Sequence, residues 1–166
     1  MNYSGLLDTI AMGESKGNYN AYYGNATNAD IDFTIMSVGE VLAWQNDYVA
    51  QGHPSSAVGK YQFINATLQG LVSELGVSYD DKFDEVLQDR LAVRLLERRG
   101  VHDYVRGKIT REQLAHNLSK EWAALPKVIG DNPESSYYDG DGLNKVQISI
   151  DEVFVAIANL RRPASS

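Results

Sequence analysis

The sequence predicts a mainly helical α+β domain, because helix signals recur along most of the chain and only one short stretch favours a β-strand. Apolar residues recur at helical spacing in several segments, and three of these follow a capping box, in which Ser or Thr precedes Glu or Gln by three positions. The β-prone stretch, residues 31–35 (Ile-Asp-Phe-Thr-Ile), lies in the polar loop 18–36 and predicts a small hairpin.

The first two predicted helices have clear limits. Residues 3–14 place Leu and Ile side chains on one face, and glycines flank the predicted end near Glu14. Ser37 and Glu40 form the capping box of the second helix, which reaches about Gln51. Both helices are therefore predicted from start and stop signals as well as from periodicity.

The remaining helices follow the same logic. Asn65 is the predicted N-cap of a third helix, and Gly76 closes it. Residues 83–99 have the most regular apolar stripe. Capping boxes at Thr110 and Ser149 open the last two helices.

Length and composition are those of one ordinary globular domain. The 166 residues carry no low-complexity linker, so a single domain is expected over residues 1–166, with a frayed tail at 162–166. Hydrophobic residues make up 43% of the chain and charged residues 22%. A chain of this size buries roughly two thirds of its unfolded surface and requires no covalent cross-link.

Metal and cofactor chemistry is not expected. The sequence has no cysteine, which excludes disulfides, thiolate zinc sites and a cysteine nucleophile. His53, His102 and His116 lack close metal-ligand spacing. The Asp-Gly run at 139–144 fails as a calcium loop, since Asn would be its sixth residue and Ile150 its twelfth. It is predicted to be an Asp-Gly turn.

The charge balance limits the partners. A net charge of −7 with a pI near 4.9 argues against nucleic acid, which binds clustered Lys and Arg, and against attraction to anionic membranes. No segment approaches the roughly 20 apolar residues of a membrane span, and the first residues lack the pattern of a signal peptide. The chain is expected to be a monomer that is made in a cytoplasm and delivered by another route.

Three segments combine polar, aromatic and glycine residues. They are residues 13–20 (Gly-Glu-Ser-Lys-Gly-Asn-Tyr-Asn), 56–63 (Ser-Ala-Val-Gly-Lys-Tyr-Gln-Phe) and 122–126 (Trp-Ala-Ala-Leu-Pro), the last followed by Tyr137 and Tyr138. Aromatic faces pack on pyranose rings, and amides and hydroxyls bind sugar hydroxyls and N-acetyl groups. Together the segments favour a sugar-binding site.

In this order, the segments resemble the lysozyme superfamily with its lytic transglycosylases, and most closely the lambda-type phage endolysins. The shared features are Glu14 at the end of the first helix, a Gly-x-Tyr-Gln motif at 59–62 and Trp-Ala-x-Leu-Pro at 122–126. The resemblance covers most of the chain. Lys60 stands where the family has Arg, and residues 20–32 do not align, which leaves any second carboxylate unassigned.

The resemblance implies a lysozyme-like fold with a substrate cleft, Glu14 at the back of that cleft and peptidoglycan glycan strands as the partner. The bond to be cut is the β-1,4 linkage from MurNAc to GlcNAc. A glycosidic oxygen is a poor leaving group, so it needs a proton from an acid whose pKa burial has raised. Glu14 is the expected catalytic acid; the alternative is a solvated helix-end residue that pairs with Lys16.

Hydroxyl, amide and aromatic side chains near these segments are the expected sugar contacts. Ser15 is also expected to orient the Glu14 carboxyl. Core packing remains the alternative for Trp122, as do a packed helix start for Tyr61 and Gln62 and plain loop positions for the other tyrosines. The predicted substrate-binding residues are Ser15, Tyr22, Tyr23, Tyr61, Gln62, Trp122, Tyr137 and Tyr138.

Two chemistries fit one essential glutamate. A hydrolase uses a second carboxylate, for which Asp30, Asp32 and Glu40 are candidates. A lytic transglycosylase needs none, because the muramic acid 6-hydroxyl attacks its own anomeric carbon. The resemblance favours the transglycosylase. It also suggests a phage source, with release to the wall through a holin or carriage in the virion. A non-catalytic glycan-binding virion module is the alternative from another class.

Overall fold

The computed structural model describes residues 1–142 and 144–162. Helices account for most of its regular structure, which confirms the prediction of a mainly helical fold. None of these helices is long and apolar enough to cross a membrane. Beyond Arg162, the predicted frayed tail lies outside the described residues. The α-helices are α1 (Ser4–Ser15), α2 (Val38–Ala50), α3 (Asn65–Leu75), α4 (Glu85–Arg99), α5 (Val101–Val105), α6 (Arg111–Glu121) and α7 (Ile150–Ala158).

The hairpin predicted around residues 31–35 is wrong. Phe33–Ile35 is a 3-10 helix, because the Asp32 carboxylate accepts hydrogen bonds from the Thr34 N–H and hydroxyl and thereby caps a helical turn. The buried Phe33 ring anchors this turn in the core. In the described part of the chain, β structure consists of isolated bridges, such as the one between Val58 and Phe63.

The predicted caps were largely correct. Ser37 and Ser149 form complete capping boxes with the Glu residues three positions later. The Thr110 hydroxyl accepts the N–H of Gln113 at 3.0 Å and caps α6. Asn65 is not the N-cap of α3, however, because Ile64 holds that position. The Asn65 amide instead donates to the carbonyls of Leu42 and the Gln45 side chain.

The chain divides into two compact units. The terminal unit comprises Met1–Glu14 and the residues from Val93 onward, and the middle unit comprises Ser15–Ala92. The prediction of one domain over residues 1–166 stays a prediction. The division falls directly after the predicted catalytic residue, Glu14.

The terminal unit has a helical core. Helix α5 packs against α6, and α6 packs against α7. The apolar face predicted for α1 is buried, with Leu6 and Ile10 fully enclosed, and Leu114, Leu118 and Ile157 are equally inaccessible. The amphipathic stripes of these helices therefore supply the hydrophobic stabilisation of this unit.

The middle unit packs aromatic rings between short helices. Helix α2 packs against α3, and the rings of Phe63 and Phe83 meet edge to face with centroids 6.1 Å apart. The buried Gln45 amide donates to the carbonyls of Ser56 and Phe63 at 2.8 and 3.0 Å. These bonds fix the loop that carries the Gly-x-Tyr-Gln motif.

Candidate active site

Glu14 lies one residue before the end of α1, as the sequence predicts. Its carboxylate Oε1 accepts a hydrogen bond from the backbone N–H of Ala124 at 3.3 Å. Ala124 is the central residue of the Trp-Ala-Ala-Leu-Pro segment. The fold of the terminal unit therefore places residues from two of the three motifs in contact, although they are 110 positions apart in the sequence.

The environment of Glu14 favours its neutral form. Burial raises the pKa of Glu14 to about 7 from an ordinary value of 4.5, and the Ala124 hydrogen bond acts in the opposite direction. The side chain keeps some accessible surface, yet protein atoms surround the carboxyl closely enough for desolvation to dominate. The carboxyl can therefore hold a proton near neutral pH.

The segment that holds Glu14 is anchored at both ends. The carbonyl of Ala124 accepts the N–H groups of Gln147 and Ile148 at 2.9 and 3.3 Å. The N–H of Trp122 donates to the carbonyl of Leu118 at 3.0 Å and continues the bonding of α6. Sequence reasoning missed the Ala124 N–H, because a backbone donor leaves no trace in residue type.

Trp122 is a core residue. Its side chain is 3% exposed, so the ring presents no face on which a pyranose could stack. This burial favours the alternative drawn from its spacing with Leu114 and Leu118. The contact of Trp122 with sugar stays a prediction.

Ser15 and Tyr61 are also enclosed, at 1% exposure each. The Ser15 hydroxyl donates to the carbonyl of Lys60 at 2.6 Å. The Tyr61 hydroxyl donates to the Asp89 carboxylate at 2.7 Å. Both hydrogen bonds fix the turn at residues 59–62, and the contact of these two residues with sugar stays a prediction.

That turn depends on a buried amide that the sequence did not reveal. Gln88 Oε1 accepts the N–H of Lys60 at 2.9 Å, and its Nε2 donates to the carbonyls of Tyr19 and Phe83. Gly59 has φ +85°, and a Cβ there would come within 2.5 Å of Gln88 Oε1. The glycine of the motif is thus required by backbone conformation and by space.

Gln62 remains a candidate sugar contact. It is partly exposed and has φ +53°, while its Nε2 donates to the carbonyl of Gly59 at 2.9 Å. Residues other than glycine are uncommon in the left-handed region, so this conformation marks a constrained turn. The side-chain oxygen of Gln62 can still accept a hydrogen bond from a ligand.

Lys60 belongs to a polar cluster with two tyrosines. Its ammonium nitrogen lies 4.6 Å from the centroid of the Tyr19 ring and 5.7 Å from that of Tyr61. The Tyr19 hydroxyl donates to the Asp89 carboxylate, as Tyr61 does. The Lys at this position therefore packs on aromatic rings, and Asp89 is a partner that the sequence did not indicate.

Tyr22 and Tyr23 belong to an aromatic cluster of the middle unit. The Tyr22 ring meets Trp44 and Tyr48 edge to face, with centroids 5.3 and 5.5 Å apart. The Tyr48 hydroxyl donates to the Tyr23 carbonyl at 2.9 Å, and its ring stacks on His53 at 3.7 Å. Tyr22 and Tyr23 are both partly exposed and remain candidate sugar contacts.

Tyr137 and Tyr138 lie on the surface of the terminal unit, at 47% and 39% exposure. Their rings meet edge to face, and the Tyr137 ring also meets His116 with centroids 5.9 Å apart. The Tyr138 hydroxyl donates to the carbonyl of Lys120. These contacts hold the two rings against α6 while their surfaces stay accessible.

The three candidate second carboxylates, Asp30, Asp32 and Glu40, are exposed residues of the middle unit. The Asp32 carboxylate caps the 3-10 helix. The Ser37 N–H donates to Glu40 Oε1 at 3.0 Å and lowers the pKa of this carboxyl. Two of the candidates thus serve as helix caps. The described residues hold no cluster of three or more His, Asp or Glu side chains that could bind a metal.

Comparison with known families gives one assignment. A family model described as Endolysin matches residues 4–141, which is most of the chain and includes Glu14, the Gly-x-Tyr-Gln motif and the Trp-Ala-Ala-Leu-Pro segment. The searches of curated proteins and of solved structures returned no match. The chain therefore belongs to the endolysin family, the phage enzymes that degrade the peptidoglycan of the bacterial cell wall.

Proposed function

We propose that this endolysin is a lytic transglycosylase, which cleaves the β-1,4 bond from MurNAc to GlcNAc with Glu14 as the sole acid and base. The observation that carries the proposal is the desolvated carboxyl of Glu14, whose pKa is raised to about 7 and whose Oε1 accepts a hydrogen bond from the Ala124 N–H. General acids work best when their pKa lies near the working pH.

The proposed reaction uses one carboxyl group twice, first as an acid and then as a base. The protonated Glu14 carboxyl donates its proton to the glycosidic oxygen, the bond from the anomeric carbon to that oxygen breaks, and GlcNAc leaves with the proton. The carboxylate then takes the proton of the muramic acid 6-hydroxyl, whose oxygen bonds to the anomeric carbon. The product is a 1,6-anhydro end, and the acid is regenerated. Intramolecular attack gains from proximity and needs no positioned water.

The Ala124 N–H suits both halves of this cycle. Burial favours the neutral carboxyl that begins the reaction, while the hydrogen bond favours the carboxylate that must exist after the first proton transfer. A carboxyl with a pKa far above 7 would be too weak an acid to donate its proton readily. A carboxyl whose pKa is near the ordinary value of 4.5 would already be ionised at neutral pH.

A hydrolytic muramidase is the second candidate. It would need another carboxylate to activate water or to stabilise the transition state. Asp32 and Glu40 already accept hydrogen bonds as helix caps, which favours the single-carboxylate chemistry. Asp30 is exposed and remains a candidate for this second carboxylate.

Product analysis by mass spectrometry distinguishes the two reactions. Purified peptidoglycan digested with this protein is expected to yield muropeptides with 1,6-anhydro ends, which have the mass of the hydrolytic product less one water. A parallel digestion in water enriched in oxygen-18 is the control, because hydrolysis incorporates solvent oxygen and the anhydro reaction does not. Reducing ends that carry heavy oxygen would reject the transglycosylase and favour the muramidase.

We further propose that the polymer is held by local contacts, since the net charge of −7 does not attract an anionic wall. Gln62, Tyr22, Tyr23, Tyr137 and Tyr138 are the accessible members of the predicted sugar-binding set. Delivery to the wall would be through a holin or within the virion. A non-catalytic binding module is rejected if lysis depends on Glu14.

A further inference from the structure

Two residues distant in sequence lie so close to Gly13 that a side chain at this position would clash with them. A Cβ at this position would lie 2.8 Å from Cγ1 of Ile148 and 3.1 Å from the Cβ of Ala124. Gly13 lies inside α1, and its φ is not positive, so alanine would suit the backbone and favour the helix. The close approach of these two residues therefore accounts for a glycine beside Glu14.

Ile148 and its neighbour anchor the segment that contacts Glu14. The Ile148 side chain is 5% exposed, and the N–H groups of Gln147 and Ile148 both donate to the carbonyl of Ala124. On its other side, the N–H of Ala124 donates to Glu14 Oε1 at 3.3 Å. Both polar groups of the Ala124 backbone are thus engaged, and a shift of Ile148 would move the donor at Glu14.

We propose that Gly13 and Ile148 are positioning residues for the catalytic acid. They let Ile148 and Ala124 pack directly on the last turn of α1, and this packing holds the Ala124 N–H at the Glu14 carboxylate. The inference rests on the proposed function, in which Glu14 is the acid. It adds a stretch of chain far from α1 in sequence to the catalytic apparatus.

The expected consequence is a change in the pH dependence of activity. The Ala124 hydrogen bond stabilises the charged carboxylate, so losing it raises the pKa of Glu14 further. Since Glu14 must be protonated to start the reaction, activity falls as pH rises through this pKa. A displaced Ala124 N–H therefore moves the falling limb of the pH profile to higher pH.

The test compares kcat/KM against pH for the wild type and Gly13→Ala, with purified peptidoglycan as substrate. We expect the falling limb of Gly13→Ala to move up by about one pH unit, the effect of one charge-assisted hydrogen bond, and kcat to fall on the order of tenfold. Thermal unfolding monitored by circular dichroism establishes that each variant is folded. An unmoved or lowered limb in a folded Gly13→Ala variant would overturn the proposal.

Two variants separate positioning from general damage. Gly70→Ala makes the same change in α3, where, apart from the backbone of that helix, no atom of the described residues lies within 4 Å of the new Cβ; it should keep the wild-type profile. Ile148→Ala loosens the same packing from the other side, so its limb should also move to higher pH. A shifted limb in Gly70→Ala, or a wild-type limb in folded Ile148→Ala, would contradict the inference.

The inference can fail while the proposed function stands. Loss of lysis in Glu14→Gln together with a wild-type profile for folded Gly13→Ala would reject only the positioning roles. Lysis by Glu14→Gln would reject the proposed function itself. If Gly13→Ala does not fold, Ile148→Ala alone is decisive, because it loosens the same anchor and should raise the limb; a wild-type limb would again overturn the proposal.

Discussion

The Glu14→Gln variant is expected to lose lytic activity by a factor of about 10² to 10⁴, the range that general acid–base catalysis contributes. Glutamine has the size of glutamate and can still accept the Ala124 N–H at its side-chain oxygen, so the local fold should persist. What it cannot do is release a proton to the glycosidic oxygen. The measurement is the rate of turbidity loss of outer-membrane-permeabilised bacteria.

Glu152→Gln is the matched control for this experiment. Glu152 is an exposed glutamate of the terminal unit, and glutamine can replace it in the capping box of α7. Its lytic rate should equal that of the wild type. Equal lysis by Glu14→Gln and the wild type would show that Glu14 is not the acid.

The same Glu14→Gln variant is expected to be more stable than the wild type at alkaline pH. Burial raises the pKa of Glu14 to about 7 in the folded state, against 4.5 for an ordinary carboxyl, so the folded protein binds the proton more tightly than the unfolded chain does. The folded state is therefore favoured below pH 4.5, and this advantage is lost as pH rises toward 7. The full shift corresponds to about 3 kcal/mol.

Urea unfolding of both proteins across the pH range measures this effect. Near pH 4 the difference in the free energy of unfolding should be small, and above about pH 8 Glu14→Gln should be more stable by about 3 kcal/mol. Glu152→Gln again serves as the control, since it exchanges an exposed carboxylate. A difference between wild type and Glu14→Gln that is independent of pH would mean that the Glu14 carboxyl is not desolvated in the folded protein.

The sequence was informative where short-range signals decide the structure. The capping boxes at Ser37 and Ser149 appear as predicted, because each depends on residues three positions apart. The buried stripe of α1 and the placement of Glu14 near its end also follow from local periodicity. Helix α5 was missed, since five residues after Gly100 are too few to show a periodic pattern.

Errors arose where distant residues decide the environment. The stretch 31–35 has strand-like composition, but the Asp32 cap and the buried Phe33 ring select a helical turn. The helix predicted over residues 83–99 begins only at Glu85, and the apolar side chain of Val86 in its first turn is 76% exposed. Periodicity gives the spacing of a buried face, whereas its phase at the end of a helix depends on tertiary packing.

In the candidate site, too, local sequence signals were informative, whereas the environment set by distant residues could not be predicted. The motifs indicated the polar turn and the segment near Glu14, but could not tell which of their side chains are enclosed. Tyr61 and Trp122 are both buried, and the Tyr61 hydroxyl binds Asp89, a residue distant in sequence. The Ala124 N–H lies 110 residues from Glu14 and is common to every residue type except proline, so no sequence pattern could identify it.

The most direct test of the account is a carbon-13 NMR titration of the Glu14 side-chain carboxyl in the intact protein, with Glu14→Gln used to assign the resonance. We predict a midpoint near pH 7, as burial of the carboxyl requires. A midpoint near the ordinary value of 4.5 would contradict the assignment of Glu14 as the acid that cleaves the glycan.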